Sequence, residues 1–322
     1  MNFTILGCGR WGSCIGWHLN NTGHKVVMWG LESDPYVQNF FATRKNDYLE
    51  LPKEIETTFD LKYAMNKSDY VVISISTQHV RDLMQNVKKI DGYEKKNYIL
   101  CMKGVEATTG LRLSQILIEF GVDKNHIATW VGPGHVQDFL RGIPGAMVID
   151  SYNQNLSKFL IENLNSELIR FYRANDMIGT EIGAAAKNVI GIAAGILDGL
   201  GYTSAKGALM ARGAYEVAKL IVGLGGDKLS AYGLCHLGDY EATLFSPYSH
   251  NHAYGKSFVE GKPFTKLAEG VATTTALLLL AHKHKIDMPI TEAVNKIINL
   301  GESPKNALVE LLKRPPTDEF VF

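Results

Sequence analysis

A short apolar strand, Phe3–Gly7, runs directly into Gly7-Cys-Gly-Arg-Trp-Gly12, and a helix-forming stretch follows over Trp11–Asn21. This order restricts the fold more than any other feature of the chain. Gly7 permits a tight turn, Gly9 lets backbone approach a pyrophosphate, and Gly12 lets helix and strand pack closely. The helix N-terminus adds partial positive charge at the same place. A bare glycine pattern of this kind can be only a turn. Here the next strand, Lys25–Gly30, completes a β-α-β unit, and we expect a dinucleotide site. Glu32 comes twenty residues after Gly12, just past that strand. A carboxylate there accepts hydrogen bonds from the adenosine ribose and repels a 2′-phosphate. The nearest basic residue, Lys25, is at the start of that strand and so at the wrong end. NAD(H) is therefore favoured, with NADP(H) as the alternative.

Further strands are expected at Tyr70–Ser76, Tyr98–Met102, Ile127–Val131, Ala146–Asp150 and Leu168–Tyr172. Apolar strands alternating with helices argue for a mainly parallel sheet covered on both faces. From about Ile178 the pattern turns helical, over Glu181–Leu197, Ala205–Gly223, Phe264–His284 and Ile290–Leu300. The expected architecture is an α/β Rossmann-like domain over residues 1–178 and an all-α domain over 179–322, with the substrate taken in a cleft between them. Lys plus Arg and Asp plus Glu number 33 each, which removes the bulk electrostatic case for nucleic acid or an anionic membrane. No apolar run is long enough to span a bilayer. The start of the chain shows no leader-like pattern, and Cys8, Cys14, Cys101 and Cys235 read as reduced thiols of a cytoplasmic protein. His236, His250 and His252 fall in a polar loop segment at no zinc spacing, so no metal is assigned.

The helix around Lys187 carries Gly183, Gly191 and Gly195 at four-residue spacing on nearly the same face as the lysine. Each glycine costs about 1 kcal/mol relative to alanine in a helix interior. Such a face accepts either another backbone or a ligand. A buried lysine beside it is a candidate acid/base, because desolvation disfavours the ammonium form. The competing reading is a packed helix contact whose lysine escapes to solvent. We expect the glycines to let a nicotinamide and a small substrate reach Lys187.

Together these segments resemble the NAD(P)-dependent glycerol-3-phosphate dehydrogenase family over nearly the whole chain. The resemblance is carried by the Gly7–Gly12 loop, Met102-Lys-Gly-Val-Glu106, Gly132-Pro-Gly-His135, and the lysine helix with its Lys187-Asn188 pair. It continues through Leu237-Gly-Asp239, Ser249-His-Asn251, Ala268-Glu-Gly270 and Asp287-Met-Pro-Ile290. It implies NADH-dependent reduction of dihydroxyacetone phosphate to sn-glycerol 3-phosphate, with Lys187 as acid/base and Lys103 as the second catalytic lysine. Lys103, Gly132, Gly134, Asn188, Asp239, Ser249, His250 and Asn251 correspond to substrate positions. Gly7, Gly9, Arg10, Trp11, Gly12, Glu32, Lys103, Val136, His250, Leu267 and Glu269 correspond to cofactor positions. The expected partner is a small phosphorylated substrate, and the expected assembly is a homodimer without membrane insertion.

The chain departs from the family at several of these positions. His250 stands where the family has an arginine, so one imidazole replaces a permanent two-pronged charge. Gly134 stands where the family has a hydroxyl residue, Val136 where it has alanine, and His236 where it has the first glycine of its Gly-x-Gly-Asp motif. Nearby cations such as Lys206, Arg212 or Lys256 could compensate for the lost arginine. Otherwise the substrate is a different phosphorylated hydroxy compound. A non-catalytic dinucleotide-binding protein is the third reading, though binding alone needs neither Lys187 nor Asp239.

Overall fold

The computed structural model describes residues 1–321. Eight strands form one sheet: β1 (Asn2–Leu6), β2 (Lys25–Trp29), β3 (Glu56–Thr58), β4 (Tyr70–Ile73), β5 (Asn97–Leu100), β6 (Ile127–Val131), β7 (Gly145–Ser151) and β8 (Ile169–Arg173). Their order is β3-β2-β1-β4-β5-β6-β7-β8. All neighbours are parallel except β6 and β7. The strand order reverses between β1 and β4, and in open α/β sheets ligands bind beyond the carboxyl ends of the strands at such a switch. The expected Rossmann-like sheet is therefore present. β3 is the one strand the sequence does not announce. It has three residues, Glu-Thr-Thr, on the sheet edge, where a two-faced apolar pattern is not required.

The chain forms two compact units. One contains residues 1–102 and 113–175; the other contains 103–112 and 176–321. The segment Lys103–Arg112 thus groups with the helices, although it lies in sequence between β5 and β6. Val105 is buried in the helical core, and Gly110, at φ +73°, packs closely on Leu280, where a Cβ would lie 3.1 Å from its side chain. Arg112 closes a 2.5 Å ion pair with Glu181, both nearly buried.

The helical unit is built round the lysine helix, Met177–Gly199, buried almost throughout. By length and composition it is the only helix among the described residues able to cross a membrane, yet 83% of its most apolar window is buried inside the protein. Around it lie helices Lys206–Gly223, His250–Val259, Glu269–His284 and Pro289–Leu300. Glu216 caps the last of these, accepting the Ile290 and Thr291 amides at 2.7 and 2.9 Å. Two readings need correction. Residues 250–259 form a helix, capped by the Ser249 hydroxyl, which accepts the His252 amide at 3.3 Å. Residues 264–268 precede the helix that begins at Glu269.

Candidate active site

In the sheet unit, β1 ends at Leu6 and Gly7 turns at φ +111°. A Cβ at Gly7 would lie 2.3 Å from the Ser74 carbonyl oxygen, and one at Gly12 would lie 2.1 Å from the Gly7 carbonyl oxygen. Both glycines are therefore required by backbone packing. Gly9 differs: a Cβ there would meet nothing within 4 Å. It is the N-cap of the helix Arg10–Asn21 and, being glycine, offers no side-chain cap. An open glycine at a helix N-terminus is the kind of position a dinucleotide phosphate fits. Trp11 lies on the same turn, and its buried indole N–H meets no protein acceptor among the described residues. Cys8 is buried, and desolvation with Asp34 nearby pushes its thiol up to about 12, so it supplies no thiolate. Glu32 is exposed two residues past Gly30.

The loop after β6 has Gly132 at φ +129° and Gly134 at φ +155°. The missing side chain of Gly134 leaves no gap. A Cβ there would lie 2.5 Å from the Phe139 ring, which also packs on Trp11 at 6.1 Å. His135 starts the short helix Val136–Leu140, and Val136 is buried.

The helical unit holds the charged cluster. Lys187 Nζ lies 3.0 Å from Asp239 Oδ2 and donates to Thr243 Oγ1 at 2.9 Å. Lys103 Nζ reaches the same Asp239 oxygen at 2.7 Å. The Asp239 side chain is 1% exposed, and its other oxygen, Oδ1, has no partner among the described residues. Two lysines converge on one buried carboxylate, so the ammonium charges are held without direct repulsion deciding the geometry. Asn188 donates to the Lys103 carbonyl at 2.7 Å and so ties the incoming segment to the lysine helix. Thr243 was not expected. It sits four residues after Asp239 and donates to the Asp239 carbonyl at 2.6 Å, so one helical turn carries both groups.

The other positions are placed less closely. Asn251 accepts the Gly270 amide at 2.9 Å through Oδ1. His250 is the first residue of its helix, half-buried, with its ring 6.5 Å from Phe264. Leu267 is 61% exposed, and Glu269 opens its helix. The cations considered as substitutes for an arginine at 250 are engaged elsewhere. Lys206 pairs with Asp198 at 2.9 Å, Arg212 donates to the Glu319 carbonyl, and Lys256 faces Glu260 at 3.9 Å. Burial raises the Asp198 carboxyl, but hydrogen bonds from Lys206, His252 and Thr203 outweigh it and hold the group down at about 2. No group of three or more His, Cys, Asp or Glu side chains could hold a metal among the described residues.

The glycine face of the lysine helix has a different purpose from the one expected. A Cβ at Gly195 would lie 2.0 Å from the His252 carbonyl oxygen, and one at Gly191 2.7 Å from the Thr243 methyl. One at Gly183 would lie 3.1 Å from Cys235 and His236. Helix His250–Val259 reciprocates, since a Cβ at Gly255 would lie 2.2 Å from the Ile192 carbonyl oxygen. The glycines admit the unit's own backbone and side chains, while Lys187 turns to Asp239 and Thr243.

A doubly wound sheet with an open glycine cradle, and a buried lysine–carboxylate–lysine cluster, define a dinucleotide-dependent oxidoreductase. Comparison with known proteins narrows the class. The pattern of the NAD-dependent glycerol-3-phosphate dehydrogenase N-terminus matches residues 2–157, and that of its C-terminus matches residues 176–309. Glycerol-3-phosphate dehydrogenase [NAD(P)+] of Thermoanaerobacter sp. (strain X514) is 35% identical, covering 99% of both chains. Its counterpart in Streptomyces coelicolor is 34% identical, over 98% of this chain and 97% of that one. The crystal structure of glycerol-3-phosphate dehydrogenase from Coxiella burnetii superposes with a TM-score of 0.90 at 30% identity, covering 97% and 99%. The chain belongs to the NAD-dependent glycerol-3-phosphate dehydrogenase family. It is an enzyme, and the reading as a non-catalytic binding protein is set aside.

Proposed function

We propose that this enzyme reduces the C2 carbonyl of dihydroxyacetone phosphate to give sn-glycerol 3-phosphate, reversibly, with Lys187 as the acid/base. The observation that carries the proposal is the convergence of Lys187, Lys103 and Thr243 on Asp239. When bound, a reduced nicotinamide dinucleotide supplies the hydride. Gly7, Gly9 and Gly12 with the Arg10–Trp11 turn would hold its pyrophosphate. Charge develops on the carbonyl oxygen as its carbon is reduced, and the Lys187 ammonium donates a proton there. Such general acid help is typically worth about 10²–10⁴-fold in rate. Asp239 and Thr243 fix the direction of the Lys187 Nζ, and Asp239 favours its return to the ammonium form. Lys103 adds positive charge facing the same oxygen. Asn188 and Asn251 supply amides for the substrate's hydroxyl and phosphate oxygens. In the reverse direction neutral Lys187 takes the proton from the alcohol.

NADH is the proposed reductant, because an exposed Glu32 beyond β2 disfavours a 2′-phosphate. A homodimer in the cytoplasm completes the reading, and four buried thiols suit a reducing compartment. His250, with Lys206, Arg212 and Lys256 all engaged, keeps one alternative in play: a different phosphorylated ketone as the preferred substrate. The test is NADH and NADPH oxidation with dihydroxyacetone phosphate and a panel of phosphorylated ketones, for the wild type and Lys187→Ala. We expect dihydroxyacetone phosphate with NADH to be preferred, and turnover of the variant to fall at least a hundredfold with NADH affinity unchanged. Near-normal turnover of Lys187→Ala would sink the assignment of the acid.

A further inference from the structure

His236 is fully buried beside the charged cluster but is hydrogen-bonded through its ring to neither Lys187 nor Asp239. Its Nδ1 lies 2.8 Å from the Gly183 carbonyl oxygen, and its Nε2 lies 2.7 Å from the Tyr240 hydroxyl. A carbonyl oxygen only accepts, so Nδ1 carries the proton and Nε2 accepts from the Tyr240 O–H. Burial lowers the ring's pKa to about 4, so the imidazole is neutral near pH 7.

Both partners bear on the cluster. Gly183 is one helical turn before Lys187, and in a helix the carbonyl at that position is the acceptor for the residue-187 amide. Tyr240 directly follows Asp239. The Asp239 amide donates to the His236 carbonyl at 3.0 Å, and the Thr243 amide donates to the Tyr240 carbonyl at 3.0 Å. The imidazole therefore bridges the backbone under Lys187 and the turn that carries Asp239 and Thr243. Its seat is shaped on both sides. A Cβ at Gly183 would lie 3.1 Å from the His236 Cβ, and one at Gly213 would lie 3.2 Å from the Tyr240 hydroxyl. The His236 and Tyr240 rings also pack edge to face, 4.9 Å between centroids.

We propose that His236 is a positioning residue, whose bridge from the Gly183 carbonyl to the Tyr240 hydroxyl sets the register at which Asp239 and Thr243 meet Lys187. The proposal rests on Lys187 being the acid. Hydrogen-bond geometry at a proton donor is what its kcat depends on, and a small displacement is enough to reduce it. The bridge bears on the proton-donating groups and not on the dinucleotide cradle, so its loss belongs in kcat and not in NADH affinity.

The test uses the full-length enzyme as His236→Asn, which keeps a donor toward Gly183 but removes the acceptor for Tyr240, and as Tyr240→Phe, which removes one hydroxyl. Steady-state kcat, KM for NADH, the pH profile of kcat and the melting temperature are measured for both, with Lys187→Ala alongside. We expect kcat to fall about 10- to 100-fold in His236→Asn and in the same direction in Tyr240→Phe. KM for NADH should stay within about twofold, and the pH profile of kcat should be displaced. A lowered melting temperature with unchanged kcat and pH profile, while Lys187→Ala loses activity, overturns this proposal alone. Retained activity in Lys187→Ala overturns the assignment of the acid and this proposal with it. Should His236→Asn not fold, Tyr240→Phe decides on the same readouts.

Discussion

Gly195 is where the lysine helix and helix His250–Val259 come closest, and replacing it with alanine tests the reading of the glycine face. In an open helix interior Gly→Ala stabilises by about 1 kcal/mol. At Gly195 the added Cβ would lie 2.0 Å from the His252 carbonyl oxygen and 2.8 Å from the Lys256 amide nitrogen. Both are backbone atoms, so no side chain can swing aside, and the helices must part by about 1 Å or more. A gap of that size forfeits about a quarter to a half of the dispersion attraction along the contact, and overpacking of this kind costs about 1–3 kcal/mol. Set against the gain of about 1 kcal/mol in helix propensity, we expect a net loss of up to about 2 kcal/mol. Asn251 lies on the displaced helix, so kcat should fall too. The assay is urea unfolding, read as a lower midpoint at unchanged slope, with kinetics alongside. Gly207→Ala is the control: its position is exposed, and a Cβ there would meet nothing within 4 Å. It should be neutral or slightly stabilising. If Gly195→Ala gained stability as the control does, the face would be open, and the earlier view of it as a ligand approach would return.

Gly134→Ser restores the hydroxyl of the family pattern but meets the Phe139 ring and a φ of +155°. It should cost about 2–4 kcal/mol by unfolding midpoint, and activity should not rise. His236 and His18 are held neutral, each lowered by burial from 6.5 to about 4. The unfolded chain takes up those protons below about 6.5 and the folded chain does not until about 4. The stability they contribute is thus whole above pH 6.5 and is lost as pH falls toward 4, by up to about 3 kcal/mol for each. Burial also raises the Glu216 carboxyl from 4.5 to about 7, which adds stability as pH falls through the same range and offsets one of the two histidines. Melting temperature against pH is therefore compared between the wild type and His18→Gln, and a difference that stays constant from pH 7 to 4 would refute the reasoning.

Much of the fold was legible because its signals are local. Seven strands carry apolar runs bounded by turns, and the lysine helix is too long and apolar to be read otherwise. β3 was missed because a three-residue edge strand of Glu-Thr-Thr buries no apolar face. Helix His250–Val259 reads as a loop in sequence because its first turn, His-Asn-His-Ala, is polar, although Ser249 stands at the capping position. At the site, Lys187 and Lys103 were visible as family positions, but their meeting on Asp239 joins residues 136 apart in sequence. Thr243 had no motif to mark it. Glycine spacing could say that something approaches the helix closely. Only the fold identifies it as the His252 carbonyl, Thr243 and His236. Likewise the Gly134 departure reads in sequence as a missing group, whereas in the fold the Phe139 ring fills the place.

The ten residues Lys103–Arg112 have a consequence for how this chain can be divided. A cut between residues 157 and 176 separates the two family patterns neatly, but it does not separate two self-sufficient pieces. A fragment starting at Asp176 would lack Val105 from its core and the Arg112 guanidinium that faces Glu181. Asn188 would lose the Lys103 carbonyl, and Asp239 would keep one lysine of its two. The helical unit is thus written in two places along the gene. During synthesis its first strip is made before β6, β7 and β8 exist, and it is completed only when the lysine helix arrives. An exchange of the C-terminal half alone would bring an Asp239 and a Lys187 from one chain to a Lys103 from another, so the contact between them would be made across the seam of the exchange.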